Sequence, residues 1–265
     1  MSADEKALTE THPLLQAIRQ RTPARLLVGR AGTAYLTATQ LTLRLDHAAA
    51  LDAVHATIDL ERDLGELTRR YQLFEVSTRA ADKAQYLLRP DLGRQLNDAA
   101  RQAVTTHCHS HADLQVVIGD GLSAAAVTAQ VPLLLPLLEA EARRRGWRFG
   151  QPFFVRYCRV GILNDIGDLL DPAIVVLLIG ERPGLATAVS LSAYMAYQPR
   201  SGHTDAQRNL ISNIHARGVS HEDAARRIGA LAEKMRAARQ SGVTIKEDLA
   251  DTPAPQALSA GKGVA

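Results

Sequence analysis

One short apolar run, from Ala173 to Ile179, constrains the fold of this chain more than any other stretch. Seven consecutive apolar residues rich in valine and isoleucine are typical of a strand that is buried on both faces, as in the centre of a parallel sheet. The run stops at GERPG, residues 180–184, which cannot continue a central strand. Glu181 and Arg182 therefore follow directly on a buried strand, at the edge where open α/β sheets bind ligands. A surface turn in which these two side chains form a salt bridge explains the same residues equally well.

Further predicted strands alternate with helices between residue 114 and about residue 200. This alternation predicts an α/β fold with a Rossmann-like, mostly parallel sheet flanked by helices. In the helix that follows the first strand, Pro132 and Pro136 predict a break or a kink. The predicted strands are Leu114 to Ile118, Phe153 to Cys158, Ala173 to Ile179 and Ser192 to Tyr197, and a short helix is predicted at Leu163 to Leu170.

The sequence before this unit predicts an N-terminal helical region. Helical spacing of apolar residues indicates helices at 37–58 and 64–76, and Pro90 is placed to open a third helix that reaches about Thr106. Residues 201–219 are polar and predict a loop with a short helix, and Ser220 is a good cap for the last helix. We divide the chain into a disordered N-terminus (1–12), a helical N-terminal region (13–112), a Rossmann-like domain (113–245) and a disordered tail (246–265).

Composition excludes several classes of protein. The 265 residues are 46% hydrophobic, and the net charge of +3 comes from arginines interleaved with acids, so we expect no nucleic-acid partner. Cys108 and Cys158 are too few for a disulfide framework, which favours a reducing compartment. No apolar run approaches the ~20 residues of a membrane span, so we expect no membrane partner.

Two local patterns suggest chemistry only weakly. His107 and His111 are four residues apart, but a predicted helix ends there and no second ligand cluster exists, so we expect no metal site. Residues 119–123, GDGLS, join a strand to a helix as phosphate-binding loops do, yet they do not match the dinucleotide fingerprint, and Asp120 would repel a phosphate. The sequence contains no nucleophile elbow, P-loop or zinc-protease motif. We therefore predict no catalytic residues in this chain.

Six segments together resemble one known family. Their order and spacing are similar to those of ethanolamine ammonia-lyase small subunits over roughly residues 13–245, and the GERPGL, RPDLGR and SNI elements are the most specific. The segments are LLVGRAGTAYLTATQLTLRLDHAAALDAVH, YLLRPDLGRQL, LQVVIGDGLSAAAV, PFFVRYCRVGILNDIGDLL, VVLLIGERPGLATAVSLSAYMAYQPR and RNLISNIHARGVS.

The resemblance implies an adenosylcobalamin-dependent enzyme that converts ethanolamine to acetaldehyde and ammonia by a radical rearrangement. It implies that the large subunit binds ethanolamine and carries the chemistry, and that the cofactor lies between the two subunits. On this basis residues 13–112 are expected to bind the partner and residues 113–245 to contact cobalamin. Family cofactor contacts fall on Val160, Glu181 and Leu210. The family commonly has cysteine at the position of Leu210, so either its side chain or its backbone is the contacting group.

Two further expectations complete this interpretation. The chain lacks the D-x-H-x-x-G motif with which some proteins replace the cofactor's own base by histidine, so we expect base-on cobalamin. We expect the enzyme in the bacterial cytoplasm, or in the lumen of an ethanolamine-utilisation microcompartment where the organism makes one. The alternative function is a free-standing Rossmann-type oxidoreductase that binds a dinucleotide through Asp120 and Gly121.

Overall fold

A computed structural model describes residues 13–21, 25–26, 28–184 and 186–247. The segments predicted to be disordered, 1–12 and nearly all of 246–265, lie outside these ranges. The helices are α1 (Pro13–Arg21), α2 (Thr37–His55), α3 (Leu60–Tyr71), α4 (Lys83–Leu88), α5 (Asp98–His107), α6 (Ala124–Arg144), α7 (Ile162–Leu170) and α8 (His221–Ala238). The strands are β1 (Arg30–Ala31), β2 (Ala34–Tyr35), β3 (Glu75–Ser77), β4 (Leu114–Gly119), β5 (Phe153–Arg156), β6 (Ile174–Gly180), β7 (Leu191–Tyr197) and β8 (Asn209–Ile214).

A six-stranded, mostly parallel sheet forms the centre of the molecule, in the order β3-β5-β4-β6-β7-β8. The pairs β3–β5, β5–β4 and β4–β6 are parallel, whereas β6–β7 and β7–β8 are antiparallel. The described residues between β6 and β7, 181–184 and 186–190, contain no helix, and so short a connection joins antiparallel neighbours. The sheet is therefore parallel on one side of β6 and antiparallel on the other.

Two apolar layers cover the sheet, one on each face. In β6, Val176 and Leu178 pack with α6 and α8, while Val175 and Leu177 pack with α5 and α7. Every residue of β4 and of β6 is buried, as expected for strands in the middle of such a sandwich. The prediction of a doubly buried strand at residues 173–179 is confirmed, because β6 occupies Ile174–Gly180.

Two predicted helices have different boundaries in the structure. The helix predicted at 64–76 begins earlier, because the Asp59 side chain accepts a hydrogen bond from the Arg62 N–H at 3.0 Å, and it ends at the left-handed Gln72. The residues that follow form β3, an edge strand. The helix predicted to open at Pro90 instead begins at Asp98, where the Asn97 side chain caps it.

The helix α6 is continuous through both prolines, so the predicted break is wrong. Packing explains this result: Leu134, Leu135 and Leu138 are fully buried against the sheet and hold the helix in place despite the lost hydrogen bonds. By length and composition alone α6 could cross a membrane, and it is the one such helix among the described residues. Its buried face identifies it as a core helix of the sandwich.

The loop predicted at 201–219 contains a strand. β8 pairs with β7, and its Ile211 and Ile214 enter the core. Their spacing of three departs from strict alternation because Asn213 has a left-handed backbone, with φ of 62°. The predicted cap is confirmed, since the Ser220 hydroxyl accepts a hydrogen bond from the Asp223 N–H at 3.2 Å. The strand β8 was not predicted, because its sequence is polar and only two of its side chains are buried.

Candidate ligand cleft

A cleft of about 350 Å³ opens where β4 and β6 end and where β7 begins. We call it the first cleft. Carboxyl ends of parallel strands are the common ligand-binding edge of α/β sheets. Its walls come from the turn after β4, the segment after β5, the end of β6, and β7 with β8. The residues lining it are Tyr86, Gly121, Leu122, Cys158, Arg159, Val160, Ile179, Gly180, Glu181, Arg182, Ser192, Tyr194, Leu210 and Ser212.

The structure brings the three predicted site residues together in this cleft. Val160 follows β5, Glu181 follows β6 and Leu210 lies in β8, yet all three line the first cleft. Leu210 is 44% exposed and lies opposite Tyr194 of β7. An exposed leucine beside a buried isoleucine in the same strand gives the cleft an apolar contact surface. Val160 is half-buried and packs on the core layer below it.

The Glu181 carboxylate connects three strands. One oxygen accepts a hydrogen bond from the Ser190 hydroxyl at 2.8 Å. The other accepts from the Ser192 hydroxyl and from the backbone N–H of Asn213, the latter at 3.2 Å. No arginine pairs with this carboxylate within the described ranges, so the predicted salt-bridged turn is wrong. A carboxylate accepts about four hydrogen bonds, which leaves about one acceptor position for a ligand.

A buried carboxylate shapes the wall that carries Val160. Asp120 is 5% exposed, and its two oxygens accept hydrogen bonds from the backbone N–H groups of Tyr157 and Cys158 at 2.9 and 2.8 Å. Tyr157 has a left-handed φ of 58°, which costs a tyrosine free energy that these bonds offset. Burial raises the pKa of Asp120, and the two N–H groups act against that rise. Asp120 is therefore a positioning residue for the segment that follows β5.

The floor of the cleft is a contact between two glycines. A Cβ atom on Gly121, where φ is 58°, would lie 2.3 Å from the carbonyl oxygen of Gly180. The same carbonyl accepts a hydrogen bond from the Leu122 N–H at 3.0 Å, and the Ser123 hydroxyl caps α6. The Asp120 carboxylate and the Leu122 N–H of this turn are therefore already engaged within the chain, and a buried carboxylate disfavours a phosphate at residues 119–123. The geometry of this turn does not support the dinucleotide alternative.

Several residues of the cleft were not predicted. The hydroxyl of Tyr86, a fully buried side chain, donates to the Cys158 carbonyl at 3.0 Å, and the Arg159 guanidinium lies 4.2 Å from the centre of the Tyr86 ring. Burial raises the pKa of the Cys158 thiol well above its ordinary value, so this thiol is not a thiolate nucleophile. The position of Arg159 next to Val160 was the only sequence signal for these residues.

The histidines at the end of α5 do not converge on a common point. His107 contacts the Ala103 carbonyl at 2.9 Å, and its ring is tilted against that of Phe74 with 4.9 Å between the ring centres, while His111 lies 3.1 Å from the Asp171 carboxylate. Within the part of the chain that the structure describes, no group of three or more histidine, cysteine, aspartate or glutamate side chains could hold a metal ion.

Behind Glu181 lies a buried histidine, His215, whose protonation is coupled to folding. The residue is 3% exposed; its Nε2 forms a hydrogen bond with the Asn213 side chain at 2.7 Å, and its Nδ1 accepts from the Arg217 N–H. Burial, followed by the charge of Arg217, lowers the pKa of His215, whereas Glu181 acts weakly in the opposite direction. The unfolded chain therefore takes up a proton first as pH falls through about 6.5, so the contribution of His215 to stability is complete above that pH and decreases below it.

We expect the free energy of unfolding of the purified chain to decrease between pH 7.5 and 5.5, and the variant His215→Gln to lose part of this decrease. Glutamine keeps a hydrogen-bonding group but cannot be protonated. Urea denaturation at several pH values measures both proteins. An identical pH dependence in the two would show that His215 does not titrate with folding.

The described residues define an α/β protein with a cleft at the carboxyl edge of its sheet, which has carboxylate, hydroxyl and apolar walls and no nucleophile–base pair. Comparison with known proteins identifies the family. The family model described as ethanolamine ammonia-lyase light chain (EutC) matches residues 13–246. The chain belongs to this family.

Three relatives are each named ethanolamine ammonia-lyase small subunit. The protein of Xanthomonas campestris pv. campestris is 43% identical over 242 residues, which cover 89% of this chain and 88% of the relative. That of Rhodopseudomonas palustris is 42% identical over 241 residues, covering 91% and 92%. That of Clostridium acetobutylicum is 38% identical over 232 residues, covering 88% and 94%. The predicted family and the predicted ammonia-lyase subunit are confirmed, and the oxidoreductase alternative gains no support.

Proposed function

We propose that this chain, together with the large subunit of ethanolamine ammonia-lyase, holds adenosylcobalamin at the subunit interface and so supports the deamination of ethanolamine to acetaldehyde and ammonia. The observation that carries the proposal is the convergence of Val160, Glu181 and Leu210 on one cleft. These residues come from segments far apart in the sequence. Their assembly at a ligand-binding edge supports a common role.

The residues of the first cleft fit a corrin. A corrin ring carries many amide side chains on a mostly apolar body, so it needs hydrogen-bond acceptors beside apolar surface. Glu181 has an acceptor position left for an amide N–H, and Val160 and Leu210 supply apolar contact. The cofactor, when bound, supplies the radical that starts the rearrangement. The chain's own part is to bind and orient it, with Asp120 holding the wall segment in place.

The finer assignments belong to the same proposal. We assign base-on cobalamin because the sequence has no histidine motif to replace the cofactor's base. We assign residues 113–245 to a Rossmann-like cobalamin-contacting unit and residues 13–112 to contact with the large subunit, which binds ethanolamine. Within residues 13–112, β3 belongs to the same sheet and Tyr86 and Arg94 also line the clefts. The bacterial cytoplasm, or a microcompartment lumen where one is made, is the proposed location.

The helix α2 supports the proposed subunit contact. Ala53 is its one buried residue, while Leu41 and Leu45 are 54% and 72% exposed. An exposed apolar stripe of this kind is typical of a protein interface. Beside it in sequence, the short β1–β2 hairpin turns at Gly32, where φ is 62°. These two elements are the surface that we assign to the large subunit.

Reconstitution tests the proposed function. We expect the purified chain to be inactive on ethanolamine with adenosylcobalamin alone, and to become active when the large subunit is added. The physical reason is the absence of an acid–base or nucleophile constellation around the cleft among the described residues. A coupled assay of acetaldehyde measures turnover. Turnover by the chain alone would contradict the assignment of chemistry to the partner.

Gel filtration provides the second arm of this experiment. The two subunits should co-elute, and Leu45→Asp should weaken the complex, because it places a charge in an apolar contact. Leu133→Asp is the matched control, since Leu133 is also exposed, at 56%, but lies in α6 rather than α2. Equal weakening by both variants would contradict α2 as the interface.

A further inference from the structure

A second, larger cleft adjoins the first one. It has a volume of about 770 Å³ and shares Arg159, Val160 and Tyr194 with the first cleft. Its remaining wall is formed by the turn before α5, the start of α7 and the segment between β7 and β8. A ligand that occupies the first cleft can therefore extend into the second without crossing a wall of the protein.

The second cleft contains arginine side chains whose positive charge is not neutralised by a carboxylate of the cleft. Its carboxylates already have partners: Asp165 pairs with Arg101 at 2.8 Å and accepts from the Leu96 N–H at 2.7 Å, and Asp205 pairs with Arg208. Arg94 also lines the cleft, and no described residue forms an ion pair or side-chain hydrogen bond with it. The unneutralised positive charge is therefore found on Arg94 and Arg159.

Arg159 lies at the boundary between the two clefts, and part of its guanidinium forms no hydrogen bond. One terminal nitrogen donates to the Tyr86 carbonyl at 3.1 Å, while the buried Nε has no hydrogen-bond partner. Arg94 is held nearby by its stem, since a Cβ atom on Gly161 would lie 2.7 Å from its Cγ. Gly161 precedes the nine-residue helix α7 and provides no side-chain cap. The positive end of the helix dipole adds to the positive potential of the two arginines.

We propose that the second cleft binds the phosphodiester of the cofactor's nucleotide tail. The inference rests on the proposed function and deepens it. The peripheral groups of a corrin are neutral amides, so the phosphodiester of the tail is the cofactor's anionic group. Glu181 in the first cleft suits amides and repels an anion, whereas arginines suit phosphate. The two adjoining clefts thus match the two chemically distinct parts of one ligand.

The test uses the complex of both subunits and two probes. Cyanocobalamin carries the nucleotide tail, and dicyanocobinamide is the corrin without it. We expect Arg94→Gln to weaken cyanocobalamin binding about tenfold, the lower part of the range for a charge-assisted contact, and to leave cobinamide binding unchanged. Arg94→Lys should retain most of the affinity, and the tenfold difference should shrink as salt screens the exposed charge. Equilibrium titration followed by absorbance measures the affinity of each variant for each probe.

The matched control is Arg69→Gln, which removes an exposed arginine that lines neither cleft. It should change neither affinity. Equal weakening of both probes by Arg94→Gln, or no weakening of either, would overturn the phosphodiester site. If Glu181→Ala weakens both probes while Arg94→Gln affects neither, the proposed function stands and this inference fails. If the wild-type complex binds neither probe, the proposed function itself fails.

Discussion

Replacing Glu181 by alanine is expected to lower the affinity of the two-subunit complex for cobalamin by about 10- to 150-fold. A charge-assisted hydrogen bond to a corrin amide is worth roughly 1.5–3 kcal/mol, and each 1.4 kcal/mol is a factor of ten. The structure adds a second consequence, because the buried hydroxyls of Ser190 and Ser192 lose their acceptor. We therefore also expect a lower melting temperature, whereas the position of Glu181 beyond β6 alone would have predicted an unchanged fold.

Three variants separate these two effects. Ser190→Ala removes one internal donor and leaves the carboxylate intact, so it should affect stability more than cobalamin affinity. Glu181→Gln keeps an acceptor oxygen without the charge and should be intermediate in affinity. Leu210→Ala removes only apolar contact and should have a smaller effect than Glu181→Ala. Titration with cobalamin, corrected for the folded fraction from thermal melts, decides the matter; an unchanged affinity in Glu181→Ala removes this residue from the site.

The second large effect is expected at the floor of the cleft. Gly121→Ala should destabilise the chain by about 2–5 kcal/mol, which combines the cost of a left-handed non-glycine residue, about 1–2 kcal/mol, with overpacking of about 1–3 kcal/mol. The added Cβ would lie 2.3 Å from the Gly180 carbonyl oxygen, and that atom belongs to the backbone of β6 and cannot rotate away. Relief requires the turn after β4 to move, which opens the floor between Asp120 and Ser123.

Gly146→Ala is the matched control for this clash. Gly146 also has a left-handed φ, of 68°, but nothing lies within 4 Å of a Cβ placed there. It should therefore show the backbone cost alone, and the difference between the two variants measures the steric contact. Chemical denaturation of both proteins gives the two free energies of unfolding. Equal losses would show that the turn at 119–123 accommodates a methyl group without strain.

How far the sequence predicts this molecule depends on how much of each element is buried. β4 and β6 were predicted because both of their faces are apolar, and α8 because its cap and its stripe agree. β3 has three residues and β8 has only two buried side chains, so neither leaves a periodic signal. The antiparallel direction of β7 depends on the length and path of residues 181–190, which local propensity does not encode.

The residues of the candidate site also differ in how far the sequence predicts them. A strand end delivering Glu181 to a ligand edge was predictable from the apolar run and the GERPG stop. Val160 and Leu210 were identified only through the family resemblance, since neither has a distinctive pattern of its own. The role of Asp120 was not predictable, because its partners, the N–H groups of Tyr157 and Cys158, are 37 and 38 residues away in the chain. Contacts of that kind arise from tertiary folding.

The exposed surface of α2 also affects how the ratio of the two subunits is maintained. Most of the stability of a helix in a protein comes from tertiary packing, and α2 buries only Ala53 within its own chain. If α2 packs on the large subunit, as we propose, association also stabilises the helix. A chain without its partner would then open α2 more often, and open segments are where proteases cut. Surplus copies of this subunit would be degraded first, so that stoichiometry is corrected after synthesis.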